Sequence, residues 1–107
     1  MMLDITKDSY EQEVLKSEMP VVVEFWGEQC SACLAMMSEV ETFAEKNKGR
    51  AKFCKIPIAG NRRLCIENKV LTVPTFLFYK DGEIVDRMMN EEISMENLHA
   101  KVESLLK

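Results

Sequence analysis

Along the chain, short apolar runs alternate with longer amphipathic stretches. Leu3-Asp4-Ile5 alternates apolar and polar positions, the pattern of a short half-buried strand. Thr6 then offers a cap for a helix whose inner face carries Tyr10, Val14 and Leu15. Pro20 ends that connection. Val21 to Gly27 is a continuous β-branched and aromatic run, which predicts a strand buried on both faces. From Cys30 to Asn47 the residues Cys33, Met36, Met37, Val40, Phe43 and Ala44 fall on one helical face, and Gly49 supplies the stop. Ala51 to Ile58 predicts a second buried strand, and Asn61 to Asn68 a short helix capped by Asn61. Thr75 to Lys80 predicts a third core strand, turned at Asp81-Gly82 into Glu83 to Met89. Asp-Gly between two apolar runs is a strong hairpin signal. Ser94 caps a last helix with an apolar face of Met95, Leu98, Val102, Leu105 and Leu106.

The resulting order, β-α-β-α-β-α-β-β-α, predicts an α/β fold in which helices join parallel strands before an antiparallel hairpin and a closing helix. No repeat, low-complexity tract or Pro/Gly/Ser-rich linker interrupts it. Residues 1–107 are therefore expected to form a single domain. With 47% apolar residues the chain has ample core material and does not need disulfides to hold it together. A net charge of −4 gives no general attraction to nucleic acid or to an anionic membrane. The longest apolar run, Met19 to Val23, falls far short of the ~20 residues that span a bilayer. Met1 to Asp8 lacks the basic-then-apolar pattern of a signal peptide. A cytoplasmic location is expected, where thiol pools keep cysteines reduced.

Against that background the four cysteines change the picture. Cys30 and Cys33 form a Cys-x-x-Cys pair, which in a β-α-β setting points to redox chemistry. A zinc site would need Cys54 and Cys65 to complete the set, and their spacing lacks the second tight pair of a zinc ribbon. Two inert structural cysteines would also satisfy the composition. Cys30, however, falls between a strand and a helix start, where unpaired N–H groups and the positive dipole end stabilise a thiolate. A free cysteine titrates near ~8.5, and such a position lowers that toward or below neutrality. The thiolate is the attacking species in disulfide exchange. Cys33 lies one helical turn later on the inward face, close enough to resolve a mixed disulfide. Cys54 and Cys65 read as core-facing small hydrophobes, with a disulfide between them left open. Pro74, directly before a buried strand, marks either strand initiation or a tight turn.

Phe25-Trp26-Gly27-Glu28-Gln29-Cys30-Ser31-Ala32-Cys33, Val73-Pro74-Thr75-Phe76 and Lys80-Asp81-Gly82-Glu83 closely resemble the thioredoxin family, and the similarity runs over essentially the whole chain. The resemblance implies the thioredoxin fold, a central mixed sheet flanked by four helices, and a protein-disulfide reductase. It makes Cys30 the nucleophile and Cys33 the resolving cysteine. Pro74 becomes a cis-proline facing the pair, beside which the backbone of Val73 pairs with an extended client segment. Glu24 matches a buried carboxylate that shuttles a proton to the resolving thiol, and Lys55 matches its lysine partner. Burial would raise that carboxyl toward neutrality, which suits a general base. Trp26, Gln29, Ser31, Ala32, Met89 and Asn90 would form the client-contacting rim. The implied partners are a flavin-dependent thioredoxin reductase and client proteins with disulfides. A monomer is expected, with no bound cofactor, metal, nucleic acid or membrane.

Departures from the family pattern bear on potential and partner range. The pair is Cys-Ser-Ala-Cys, not Cys-Gly-Pro-Cys, and Gln29 replaces the usual tryptophan before the first cysteine. The acid is Glu24, one methylene longer than aspartate. Ser38 stands where a kinking proline is usual, so a straighter helix is expected. Met88-Met89-Asn90-Glu91 replaces a glycine-bearing loop. Without the proline ring the helix start is less constrained and the redox poise should shift; the resemblance implies a less reducing dithiol. The unusual rim motivates an alternative, a donor dedicated to one partner enzyme. A further alternative is a non-catalytic binding module that uses the groove beside Pro74. Arg62-Arg63 and the lysines from Lys46 to Lys55 form a basic region suited to docking a protein partner. His99 reads as a solvated-face residue. The methionines read as core filler, with Met88 and Met89 as exceptions at the docking rim.

Overall fold

In the computed structural model, which describes residues 2–107, strand β1 (Leu3–Asp4) leads through a π-helical turn (Glu11–Leu15) into β2 (Val21–Trp26). Helix α1 (Ser31–Lys46), β3 (Lys52–Pro57) and α2 (Arg62–Glu67) follow. The hairpin strands β4 (Thr75–Lys80) and β5 (Glu83–Met89), a 3-10 turn (Asn90–Glu92) and α3 (Met95–Leu105) complete the chain. The strands form one sheet in the order β1-β3-β2-β4-β5. β1, β3 and β2 run parallel, while β4 is antiparallel to β2 and β5 to β4. This is the mixed α/β architecture the pattern predicts.

Register sorts the core into two layers. Val22, Phe53, Phe76, Phe78 and Met88 face α1 and α3, together with Val40, Ala44, Leu98 and Val102. Val23, Phe25, Cys54, Ile56, Leu77 and Tyr79 face the π-helical turn and α2, with Val14 and Leu64. Strand β2 lies in the middle, buried from Val21 to Phe25. Helix α1 is continuous over 16 residues, as the absence of a proline at Ser38 leads one to expect. Its inner stripe is the predicted one: Cys33, Val40 and Ala44 are buried, and Met36, Met37 and Phe43 pack against the same cluster.

Three expectations need correction. The first helix is a single π-helical turn, which buries Tyr10 and Val14 but leaves Leu15 outside. Asn61 sits at the N-cap of α2 without capping it. Its carboxamide accepts from the Lys7 N–H (2.8 Å) and donates to the Pro57 carbonyl (2.8 Å), tying three segments together. Met88 belongs to the core and not to a rim, because register places it opposite Phe76. His99 is exposed as expected, with its ring stacked on Phe43 at 4.0 Å.

At the hairpin, Asp81 (φ 53°) and Gly82 (φ 80°) both take the left-handed conformation, as a two-residue turn with the sheet's own twist requires. A Cβ at Gly82 would also lie 2.8 Å from the Leu15 carbonyl oxygen. Gly49 (φ 87°) has the same backbone need but open space around it. Gly82→Ala is therefore expected to destabilise more than Gly49→Ala. The expected losses are roughly 2–3 against about 1 kcal/mol, read from urea midpoints at unchanged slope.

Candidate active site

After β2 ends at Trp26, the chain turns through Gly27, Glu28 and Gln29, and the Cys30 N–H donates to the Gly27 carbonyl (3.1 Å). Cys30 is the N-cap of α1, extended at φ −92° and ψ 100°. Its carbonyl accepts the first helical bond, from the Leu34 N–H, while its Sγ accepts from the Cys33 N–H, each at 3.1 Å. The sulfur thus stands where a serine or aspartate oxygen ordinarily caps a helix. No acidic residue occupies the first turn, so nothing opposes the positive helix end at this sulfur. Cys30 and Cys33 are joined in a disulfide, with Cα atoms 5.3 Å apart. Cys33 is wholly buried and Cys30 partly exposed, so one sulfur is open to attack and the other is shielded.

The Val73–Pro74 peptide is cis, and Pro74 is buried at the head of β4. The Thr75 hydroxyl donates to the Thr72 carbonyl (2.6 Å), closing this loop on itself. The Thr72 hydroxyl in turn donates to Asn90 Oδ1 (3.3 Å), stapling the loop to the end of β5. Asn90 adopts φ 55°, a left-handed conformation that asparagine tolerates better than most residues. Met89, half-buried, lies opposite Thr75 in the ladder.

Glu24, on the α1-facing side of β2, is completely buried, and neither carboxylate oxygen has a hydrogen-bond partner among the described residues. Burial pushes its pKa up to about 7, against a weaker downward pull from Lys55. Lys55 is its register partner on β3, as anticipated. The ammonium nevertheless lies 3.8 Å from Asp4 Oδ1 and 5.7 Å from the centroid of the Trp26 ring. A carboxyl that titrates near neutrality can take up or release a proton at ordinary pH.

Beside the disulfide a groove of about 760 Å³ opens on the α2 side of the sheet. Among the expected contact residues, Gln29, Cys30 and Val73 line it. Trp26, Ser31, Ala32, Pro74, Met89 and Asn90 lie outside that lining. Ser31 and Ala32 are exposed in the first turn of α1, and Trp26 is half-buried beside Lys55. The remaining walls come chiefly from Ile58, Ile66, Leu71 and Thr72, not singled out for this role, and from Arg62, part of the basic region expected to dock a protein partner. Leu71 is 91% and Ile66 63% exposed. A signal for Arg62 did exist: a cation in the first turn of a helix stands against the dipole, which is unfavourable unless it serves another purpose. Cys54 and Cys65 are free and buried. Burial pushes Cys54 up to about 12 and raises Cys65 as well, so both are poor thiolates.

Comparison with known sequences agrees with this geometry. The sequence model of the thioredoxin family matches residues 1–104. The thioredoxin of Acetoanaerobium sticklandii is 34% identical over 105 residues, covering 98% of this chain and 100% of that protein. That of Peptoclostridium acidaminophilum is 34% identical over 102 residues (95% and 93% coverage), and that of Pseudomonas aeruginosa 33% over 82 (77% and 76%).

Because the folded pKa of Glu24 lies above its unfolded value of 4.5, the fold loses stability as pH rises from that value through about 7, and the loss then levels off. Glu24→Gln removes this dependence. The variant is expected to be more stable than the parent above pH 8, by roughly 3 kcal/mol, and to show little difference near pH 4. Denaturant melts of the oxidised protein across that range provide the check.

Proposed function

The chain belongs to the thioredoxin family and is a thiol–disulfide oxidoreductase, and on that premise we propose that it reduces disulfides in client proteins, with Cys30 as nucleophile and Cys33 as resolving thiol. The observation that carries the assignment of roles is the unequal exposure of the two cysteine residues, with Cys30 capping α1. In the reduced protein the Cys30 thiolate attacks a client disulfide. A mixed disulfide forms and one client sulfur leaves as thiolate. The Cys33 thiol passes its proton to the Glu24 carboxylate and attacks Cys30 Sγ, releasing the second client sulfur. Two electrons have then moved from the pair to the client, leaving Cys30–Cys33 oxidised. The proton on Glu24 returns to solvent or to the departing thiolate. A flavin-dependent thioredoxin reductase is the proposed source of the electrons that restore the dithiol.

The client lies along the backbone of Val73 beside Pro74 and reaches into the groove. Residues 1–107 act in this reading as one monomeric domain in the cytoplasm. The family match across residues 1–104 supports the single domain. Among the described residues no helix is long and apolar enough to cross a membrane. A donor dedicated to a narrow set of clients gains support from the groove itself. Exposed Leu71 and Ile66 beside Arg62 suit a segment that carries an apolar side chain next to an acidic one.

Titration against glutathione and dithiothreitol buffers, read by alkylation and mass spectrometry, is expected to show one two-electron transition at Cys30–Cys33. Its midpoint should be less negative than the roughly −270 mV of a Cys-Gly-Pro-Cys thioredoxin. Cys33→Ser should accumulate a mixed disulfide through Cys30, and Cys30→Ser none. A chain with both cysteines changed to serine that kept its cellular role would instead be a binding module.

If the groove selects clients, Leu71→Ser or Arg62→Glu will lower kcat/KM for a folded client by roughly tenfold, equivalent to about 1.4 kcal/mol. Neither change should alter the rate with a small aromatic disulfide. Equal losses on both substrates would remove the groove from the account.

A further inference from the structure

One cation serves two carboxylates at this edge of the sheet. Asp4 on β1 and Glu24 on β2 are both register partners of Lys55 on β3, the strand between them. Partners in register project from the same face, so the ammonium can turn toward either acid. It lies with Asp4, at 3.8 Å, while Glu24 has no hydrogen-bond partner among the described residues. The preference has a physical cause. The Asp4 side chain is 78% exposed and keeps its hydration, whereas ionising the buried Glu24 carries the full cost of removing a charge from water.

We propose that Asp4 is a positioning residue of the redox site. By holding the Lys55 ammonium at the solvent side of β3, it keeps that charge off Glu24 and so sets how readily the buried carboxyl gives up its proton. The functional consequence rests on the reading of Glu24 as the group that exchanges a proton with Cys33. Among the described residues no other charge is placed to substitute. β4 and β5 oppose Glu24 with Phe76 and, beyond it, Met88. α1 covers this face with Cys33, held in the disulfide, and with uncharged Met36, Met37 and Val40, while its Glu39 and Glu41 point to solvent. On α3, Lys101 is engaged by Asp86 at 3.1 Å. The Coulombic influence on Glu24 is that of Lys55, set against burial.

Asp4→Asn removes the competitor together with its negative charge, and both effects favour ionisation of Glu24. In the full-length oxidised protein, the Glu24 carboxyl followed by carbon NMR should titrate lower by roughly 0.5–1 unit, a fraction of the 1–3 units that direct contact with a cation produces. The acid limb of the pH profile for client reduction should move the same way, and Asp4→Glu should restore both. In a Lys55→Met background the same substitution should shift Glu24 by less than about half as much, since only the screened field of an exposed charge remains. An unmoved Glu24 titration in Asp4→Asn overturns the proposal, and so does a shift of equal size with and without Lys55. A shifted Glu24 titration with an unshifted reduction profile upholds the role of Asp4 and overturns the catalytic role of Glu24.

Discussion

The rest of the structure depends on a strand that has no solvent face. Residues Val21 to Phe25 of β2 are buried between two helical layers, and their backbone groups are satisfied by ladders to β3 and β4. A strand so placed accepts apolar side chains freely and a charge only at considerable cost. It holds one acid, Glu24, whose carboxyl stays protonated until about neutral pH because burial outweighs the pull of Lys55 and no hydrogen bond reaches it among the described residues. The same strand can reach the surface only at its end. The chain emerges there at Glu28, and two residues later the start of α1 presents Cys30. The buried carboxyl and the partly exposed Cys30 are thus products of one constraint, delivered by one strand.

Environment, and not residue type, separates the cysteines. Cys54 lies in the interior of β3, where burial suppresses its thiolate, and Cys65 is raised for the same reason. Cys30 carries the same sulfur at a helix start, receives an N–H hydrogen bond, and is partly exposed. Cys33 is buried, which shields it from thiols in solution. The proposed order of exchange, with entry at Cys30 and closure at Cys33, rests on this difference in exposure.

Around the sulfur the walls are unusually apolar for a surface. Leu71 and Ile66 are large hydrophobic side chains left in water, and Arg62 stands in the first turn of α2, against its dipole. Opposite them, the Thr72–Asn90 bond couples the cis-proline loop to the end of β5. In the proposed reading a client meets a backbone edge held in place by these loops and a soft apolar wall, with a cation at the margin.

How much of this was legible beforehand follows from the range of each interaction. The hairpin was readable because Asp81-Gly82 carries its own backbone preference, and the start of α3 because Ser94 caps it within three residues through the Asn97 N–H. The inner stripe of α1 and the place of Cys30 at its head come from a period that a single helix displays alone. By contrast, Leu15, Asn61 and Met88 were misplaced, because their surroundings are supplied by distant parts of the chain. Asn61 bonds to Lys7, 54 residues away, and Met88 is committed to the core by the register of β5 on β4. Lys55 was matched to Glu24 correctly as a neighbour, yet the ammonium rests with Asp4, since the strand order β1-β3-β2 puts a second acid on its other side. Local sequence determined the elements, their ends and the reacting sulfurs, because propensities, caps and turns act within a few residues. Tertiary structure alone decided the groove walls, the partner of Lys55 and the protonation of Glu24. Those depend on which strands are adjacent and on how much water their packing excludes.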